Sequence, residues 1–161
     1  MTEIIISEQL IKLGMMEASK EEAIKALAAG LYALDYVREG YVENVIKREE
    51  TFPTGLPTSI PIAICHTEAQ YVKQSALAVG TLVTPIAFLE MGTPERTVNA
   101  EIVFLLALND PKQQVPFLKK MASLFKDHAM LETIRDSKDP SKLVEIFKNL
   151  FLNQTSDPII L

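Results

Sequence analysis

The chain has 161 residues, enough for one compact domain with a sizeable core and too few for two ordinary ones. Its 48% hydrophobic and 23% charged residues exclude a disordered chain, and a net charge of −5 lacks the basic surface that broad nucleic-acid binding requires. The single cysteine excludes an intrachain disulfide and a paired-cysteine metal site. Met1-Thr2-Glu3-Ile4-Ile5-Ile6-Ser7 does not read as a secretory signal, and no apolar run approaches the roughly 20 residues of a membrane helix, so the expectation is an acidic cytoplasmic protein.

Ser19-Lys20-Glu21-Glu22 is a capping-box pattern, with Ile24, Leu27 and Leu31 following at helical spacing, and predicts a helix from about Lys20 to Leu34. A second helix is expected from about Gly40 to Glu50, with Val42, Val45 and Ile46 as its buried stripe, ending before Pro53. After a Pro53 to Pro61 turn region come four apolar runs, Ile62 to Cys65, Ala76 to Leu82, Ile86 to Leu89 and Ile102 to Leu108. Each reads as a strand of a covered sheet.

Asn109-Asp110-Pro111 reads as a helix entry, and Val115, Leu118, Met121, Ala122 and Phe125 continue it. A further helix is expected from about Ala129 to Arg135. Asp139-Pro140 starts the last one, which carries Leu143, Ile146, Phe147 and Leu150. Residues 152–161 lack periodicity and are expected as a loose tail or as a segment packed on the domain. The expected order is helices, strands, helices: an α/β three-layer sandwich, a mixed sheet with helices on both faces, in one domain over 1–161.

Chemistry concentrates where Arg48-Glu49-Glu50-Thr51-Phe52-Pro53-Thr54-Gly55-Leu56 is followed by Ile62-Ala63-Ile64-Cys65-His66-Thr67-Glu68. The second run places His66 at the end of a buried strand, where an imidazole can act as nucleophile and leaving group in turn. A neutral imidazole suffices, and its ordinary pKa of about 6.5 provides one near neutral pH. Strand alternation sends Cys65 and His66 to opposite faces, which disfavours a Cys-His dyad and a cysteine-dependent hydrolase. Cys65 is expected to be a buried apolar-like residue.

These residues resemble the IIA components of the bacterial sugar phosphotransferase system, in the fructose–mannitol class. Arg48, Glu49, Pro53, Thr54 and Gly55 match that family's Arg-Glu-x-x-x-Pro-Thr-Gly stretch, and Ala63, Ile64, Cys65 and His66 its active-site run. Ser19 to Glu22, the Val103 to Leu108 strand and the closing helices extend the likeness over most of the chain. Cys65 stands where the family usually has proline. Gln114 stands where mannitol- and nitrogen-type members carry a second histidine. Gln113-Gln114 and Phe52-Pro53-Thr54-Gly55 look like the galactitol-specific branch.

The resemblance implies a relay in which the general phosphocarrier protein phosphorylates His66 at Nε2 and His66 passes the group to a cysteine of the IIB component. The membrane IIC component moves the sugar, here galactitol or a related hexitol. No metal, nucleotide or other cofactor takes part, in keeping with the lack of a phosphate-binding Gly-rich loop. The alternative is a regulatory module phosphorylated on His66 that controls a transcription factor or other partner. The missing second histidine and the stand-alone chain favour transport over that alternative.

Around His66, several residues have two readings. Arg48 is a phosphate contact or a cation that complements a helix C-terminus. Thr54 is a hydroxyl donor to the phosphoryl group or a turn residue. Gln114 is an amide donor replacing the second histidine or a polar first-turn residue. Glu49 and Glu50 are expected on a solvated helix face, orienting Arg48 if either acts near the site. His128 is expected at the surface or as a cap, and Lys47 and Lys73 as solvated lysines. An apolar patch around His66 is expected for docking two successive partners.

Overall fold

The computed structural model describes residues 3–156, with side chains described to residue 151. Its elements run β1 (Ile11–Met15), α1 (Lys20–Ala33), α2 (Tyr41–Thr51), β2 (Gly55–Leu56), β3 (Ile62–Cys65), β4 (Ala76–Glu90), β5 (Thr93–Ala107), α3 (Gln114–Phe125), α4 (His128–Asp136) and α5 (Pro140–Ser156). The capping box forms at α1: Glu22 N donates to Ser19 Oγ at 3.2 Å, while Glu22 Oε1 reaches back to accept from Ala18 N at 3.1 Å. Asp139 caps α5 by accepting from Ser141 N at 3.0 Å, with Pro140 in the first turn, where a missing N–H costs nothing.

The sheet is mixed. β4 and β5 make a long antiparallel hairpin, from Ala76 opposite Ala107 to Glu90 opposite Thr93. β1 lies parallel to β4, and β3 parallel to β5. β2 pairs antiparallel with β3 and meets the tip of β4 through Gly55 and Glu90. A Cβ on Gly55 would sit 2.7 Å from the Leu89 carbonyl oxygen, so only glycine allows this approach.

Alternation along β3 divides the core in two. Ala63 and Cys65 join Ile24 and Leu27 of α1 and Tyr41 and Val45 of α2. Ile62 and Ile64 join Phe117 and Met121 of α3, Leu131 of α4 and Phe147 of α5. Helices therefore cover both faces, as the sandwich reading expects. At about 25 cal/mol per Å² of apolar surface, both faces contribute to stability, so neither helical layer is an ornament.

Several boundaries differ from the sequence reading. β1 precedes α1, so the order is not helices first; Lys12 and Gly14 interrupt its apolar pattern. β2 is only two residues long, inside the stretch read as turn. The runs 76–82 and 86–89 are one strand, joined through a register irregularity between Thr81 and Ile86 that leaves Val83, Thr84 and Pro85 exposed. β5 begins at Thr93 rather than 102, because the exposed face of the hairpin's outer half is polar and masks the strand. A 3-10 turn, Pro111–Gln113, precedes α3, and α5 continues to Ser156, into the region expected as tail; residues 157–161 lie outside the described residues.

Candidate active site

β3 and β5 run parallel, so both carboxyl ends open at one edge of the sheet, where strand pairing stops and polar groups become available. His66 is the first residue past β3. It lines a depression of about 150 Å³ together with Arg48, Glu68, Leu106, Asp110 and Gln114. Three of the four proposed site residues, His66, Arg48 and Gln114, are brought together here from three different elements.

The two ring nitrogens of His66 have different partners. Nδ1 lies 3.1 Å from the Ile64 carbonyl oxygen, which can only accept, so Nδ1 carries the proton of the neutral ring. Nε2 is then left with a lone pair. Gln114 Nε2 stands 3.4 Å from it, a long contact in which the amide donates. Burial, with Arg48 adding to it, lowers the His66 pKa below its ordinary value; the bond to Ile64 and the Glu68 carboxylate oppose this without reversing it. The ring is neutral at neutral pH.

Arg48 sits in the last turn of α2, where the helix dipole favours a cation. Its guanidinium reaches out to the depression, donating from Nη1 to Glu68 Oε2 at 3.1 Å and lying 5.2 Å from the Phe52 ring centroid. Its Nε is buried and has no hydrogen-bond partner. A guanidinium and an imidazole lone pair lining one depression are chemically suited to an anion between them.

Thr54 and Glu49 require correction. Thr54 is buried, and its hydroxyl donates to Glu49 Oε1 at 2.8 Å and accepts from Ile64 N at 3.2 Å, so it is committed to the protein and not turned to the depression. Glu49 is only 2% exposed rather than solvated. It accepts from the Thr54 backbone N at 2.8 Å as well as from its hydroxyl. Burial raises its pKa, and the two bonds from Thr54 partly offset that. Tyr41, Val45 and Glu49, four residues apart, are the buried stripe of α2, with Val42 and Ile46 half-buried.

Cys65 is fully buried on the face opposite His66, 3.9 Å from Thr54 Oγ1, and burial pushes its thiol well up. Both features oppose a thiolate nucleophile. His128 begins α4 at the surface, with Nδ1 2.8 Å from Ser59 Oγ, and Asp127 provides the cap by accepting from Met130 N. Glu50 and Lys47 are exposed, and Lys73 pairs with Asp35 at 2.7 Å. Glu68, whose role the motif did not indicate, is the partner of Arg48; its position two residues past His66 is the only sequence clue. Gln113 and Asn109 anchor the entry to α3 through Ser75, whose Oγ lies 2.8 Å from Gln113 Oε1 and 3.0 Å from Asn109 Oδ1.

Residues 4–150 match the family model of the phosphoenolpyruvate-dependent sugar phosphotransferase system, EIIA 2. The chain belongs to this family. The IIA chain is 26% identical over 147 residues to the mannitol-specific phosphotransferase enzyme IIA component of Bacillus subtilis, covering 91% of this chain and 98% of that one. It is 24% identical over 125 residues to the galactitol-specific EIIA component of Escherichia coli K12, covering 77% and 83%. A 32% match over 104 residues to the transcriptional regulator ManR of Bacillus subtilis covers 65% of the IIA chain but only 15% of that protein. In fold, the IIA chain matches the complex of enzyme IIAMTL and phosphorylated enzyme IIBMTL from Escherichia coli with a TM-score of 0.73 at 22% identity, over 91% of this chain and 99% of that chain. The mannitol-type sandwich is therefore its architecture. Among the described residues, no helix is long and apolar enough to cross a membrane.

Proposed function

We propose that the chain, as one cytoplasmic IIA domain, is a phosphocarrier of a sugar uptake system that takes a phosphoryl group on His66 Nε2 and hands it on. The observation that carries this is the division of labour in the ring: Nδ1 is held by Ile64, while the Nε2 lone pair is left beside the Gln114 amide in a depression that Arg48 also lines. The donor is the protonated phosphohistidine of the general phosphocarrier protein. The His66 Nε2 lone pair forms a bond to phosphorus as the donor's N–P bond breaks, and that electron pair returns to the donor ring. Nδ1 keeps its proton, so the phosphorylated His66 ring is an imidazolium and no separate base is needed.

In this reading Arg48 turns from Glu68 to the phosphoryl oxygens, which carry the charge in the transition state. Gln114 moves its amide from Nε2 to one of those oxygens. The group then passes to a cysteine of a IIB component, which serves the membrane IIC component. The pairing of IIAMTL with phosphorylated IIBMTL in a solved complex supports the choice of acceptor class. Phe52, whose ring centroid lies 5.2 Å from the Arg48 guanidinium, and Val115, next to Gln114 in sequence, are 60% and 61% exposed and give the apolar rim that two successive protein partners can share.

The transported sugar is galactitol or a related hexitol. Gln113-Gln114 and Phe52-Pro53-Thr54-Gly55 support galactitol, while the mannitol component matches over more of its length. Regulatory use is the weaker alternative, since the similarity spans almost the whole mannitol component and a small part of the regulator. The test is intact-mass phosphorylation with the general phosphocarrier, its kinase and phosphoenolpyruvate. One acid-labile phosphoryl group that His66→Ala loses and His128→Ala keeps is the expected result; an unphosphorylated, folded wild type overturns the assignment.

A further inference from the structure

Beneath His66 lies a chain of hydrogen bonds that the phosphoryl step does not itself use. Glu49 Oε1 and Oε2 accept from Thr54 Oγ1 and N, both at 2.8 Å. Thr54 Oγ1 accepts from Ile64 N at 3.2 Å, a proton it shares with its own carbonyl oxygen at 3.4 Å. Ile64 O accepts from His66 Nδ1 at 3.1 Å. We propose that Glu49 and Thr54 are positioning residues that select which nitrogen of His66 is phosphorylated and set the separation of His66 from Arg48.

Ile64 offers its N–H and C=O on the same side of β3, away from β5, because both groups of one residue point to the same edge of a strand. Thr54 fixes the N–H, so the C=O of the same residue is held where the His66 ring can donate to it. That bond locks the proton on Nδ1 and leaves Nε2 as the nucleophile, since a ring nitrogen's partner decides the tautomer.

Glu49 ties the chain to a second functional group. It is the neighbour of Arg48 on α2, so the same carboxylate that grips Thr54 also pins the last turn of that helix against the β2–β3 hairpin. One buried side chain thus sets both the nucleophile and the cation across from it. A carboxylate at 2% exposure is an expensive way to hold a turn, because leucine would fill such a site without a desolvation cost. Its placement is explained by what it orients.

This inference rests on His66 being the phosphorylated residue, and the experiment separates the two. Ring nitrogens are read by ¹⁵N–¹H correlation in the wild type, Thr54→Val, Thr54→Ser and Glu49→Gln, with His128→Ala assigning the signals. The phosphohistidine isomer, the single-turnover rate and the donor affinity are then measured with the phosphorylated general phosphocarrier, and folding by thermal melting. In the wild type we expect the Nδ1–H tautomer and phosphorylation at Nε2 alone.

Thr54→Val should mix the tautomers, divert part of the phosphoryl group to Nδ1 and slow transfer by about tenfold or more, the scale of a displaced reacting group, with donor affinity little changed. Thr54→Ser should restore all three. A folded Thr54→Val that melts lower but keeps the wild-type tautomer and isomer overturns the inference. So does an Nε2–H tautomer in the wild type, which needs no variant to fold. If Thr54→Val does not fold, Glu49→Gln is read by the same criteria. A wild type that accepts no phosphoryl group sinks the function, while the tautomer still tests the chain.

Discussion

Two polar clusters meet at β3, one on each side of a single peptide bond. On the inner side, Glu49, Thr54 and Cys65 are buried and saturated with one another. On the outer side, Arg48, Glu68 and Gln114 are partly exposed: Arg48 pairs with Glu68 at 3.1 Å, and Gln114 meets His66 only at a long 3.4 Å. On the proposed function, the contrast separates holding from reacting. Groups that must stay put have their hydrogen bonds satisfied internally, where an unmade bond is costly. Groups that must receive a charged ligand keep capacity in reserve, since replacing water or a weak surface partner costs little.

The largest expected effect lies on the outer side. His66→Ala should abolish phosphorylation while the melting curve keeps its shape, as judged by intact mass and calorimetry. Next, Arg48→Ala should slow phosphoryl transfer by about 100-fold, the scale of losing a donor to transition-state charge. Because the Arg48–Glu68 pair is partly solvated, this variant should change stability by no more than about 1 kcal/mol in urea unfolding. A rate near wild type would make Arg48 a helix-end cation only.

The inner cluster should behave the other way round in stability. Glu49→Leu strands the Thr54 N–H and hydroxyl in the core, and should cost about 1–3 kcal/mol by the same urea measurement. A neutral or stabilising result would show that the carboxylate contributes nothing net to folding, which would sharpen the case for a purely positional role.

Proton titration divides the clusters again. The folded His66 pKa lies below its unfolded value of about 6.5, so below that pH the unfolded chain binds more protons. The His66 contribution to stability is therefore constant above about pH 6.5 and declines as pH falls from there through the folded pKa. NMR titration of the ring should give a midpoint below 6.5, and lower still in Glu68→Gln, because the Glu68 carboxylate raises it. Glu49, with its folded pKa raised, should lose its contribution as pH rises through that folded value, the opposite slope. The smallest effect is expected from Cys65→Ala, which should keep phosphoryl transfer near wild type and lose about 1 kcal/mol of packing.

Much of the fold was legible in local pattern. The Ser19 capping box, the Asp139-Pro140 entry and the apolar run ending at His66 each depend on residues a few positions apart, and each stands where the sequence places it. β1 and the outer half of the hairpin were hidden. Their strand character comes from pairing with β4, and the residues left to solvent there are polar. The position of His66 was legible because one buried strand ends just before it.

The sequence by itself determined the family motif, the starts of α1 and α5, the strand carrying His66 and the opposite facing of Cys65 and His66. Those follow from short-range sterics and side-chain alternation. Tertiary structure alone decided that Glu49 turns inward while its neighbour Arg48 turns outward, that Thr54 serves Ile64 and not the depression, and that Gln114 arrives beside His66 from 48 residues away. Such assignments depend on which surfaces meet once the layers are packed. A carboxylate in a helix has the same local propensity on either face, and only the neighbours brought by the fold give it a place to be buried.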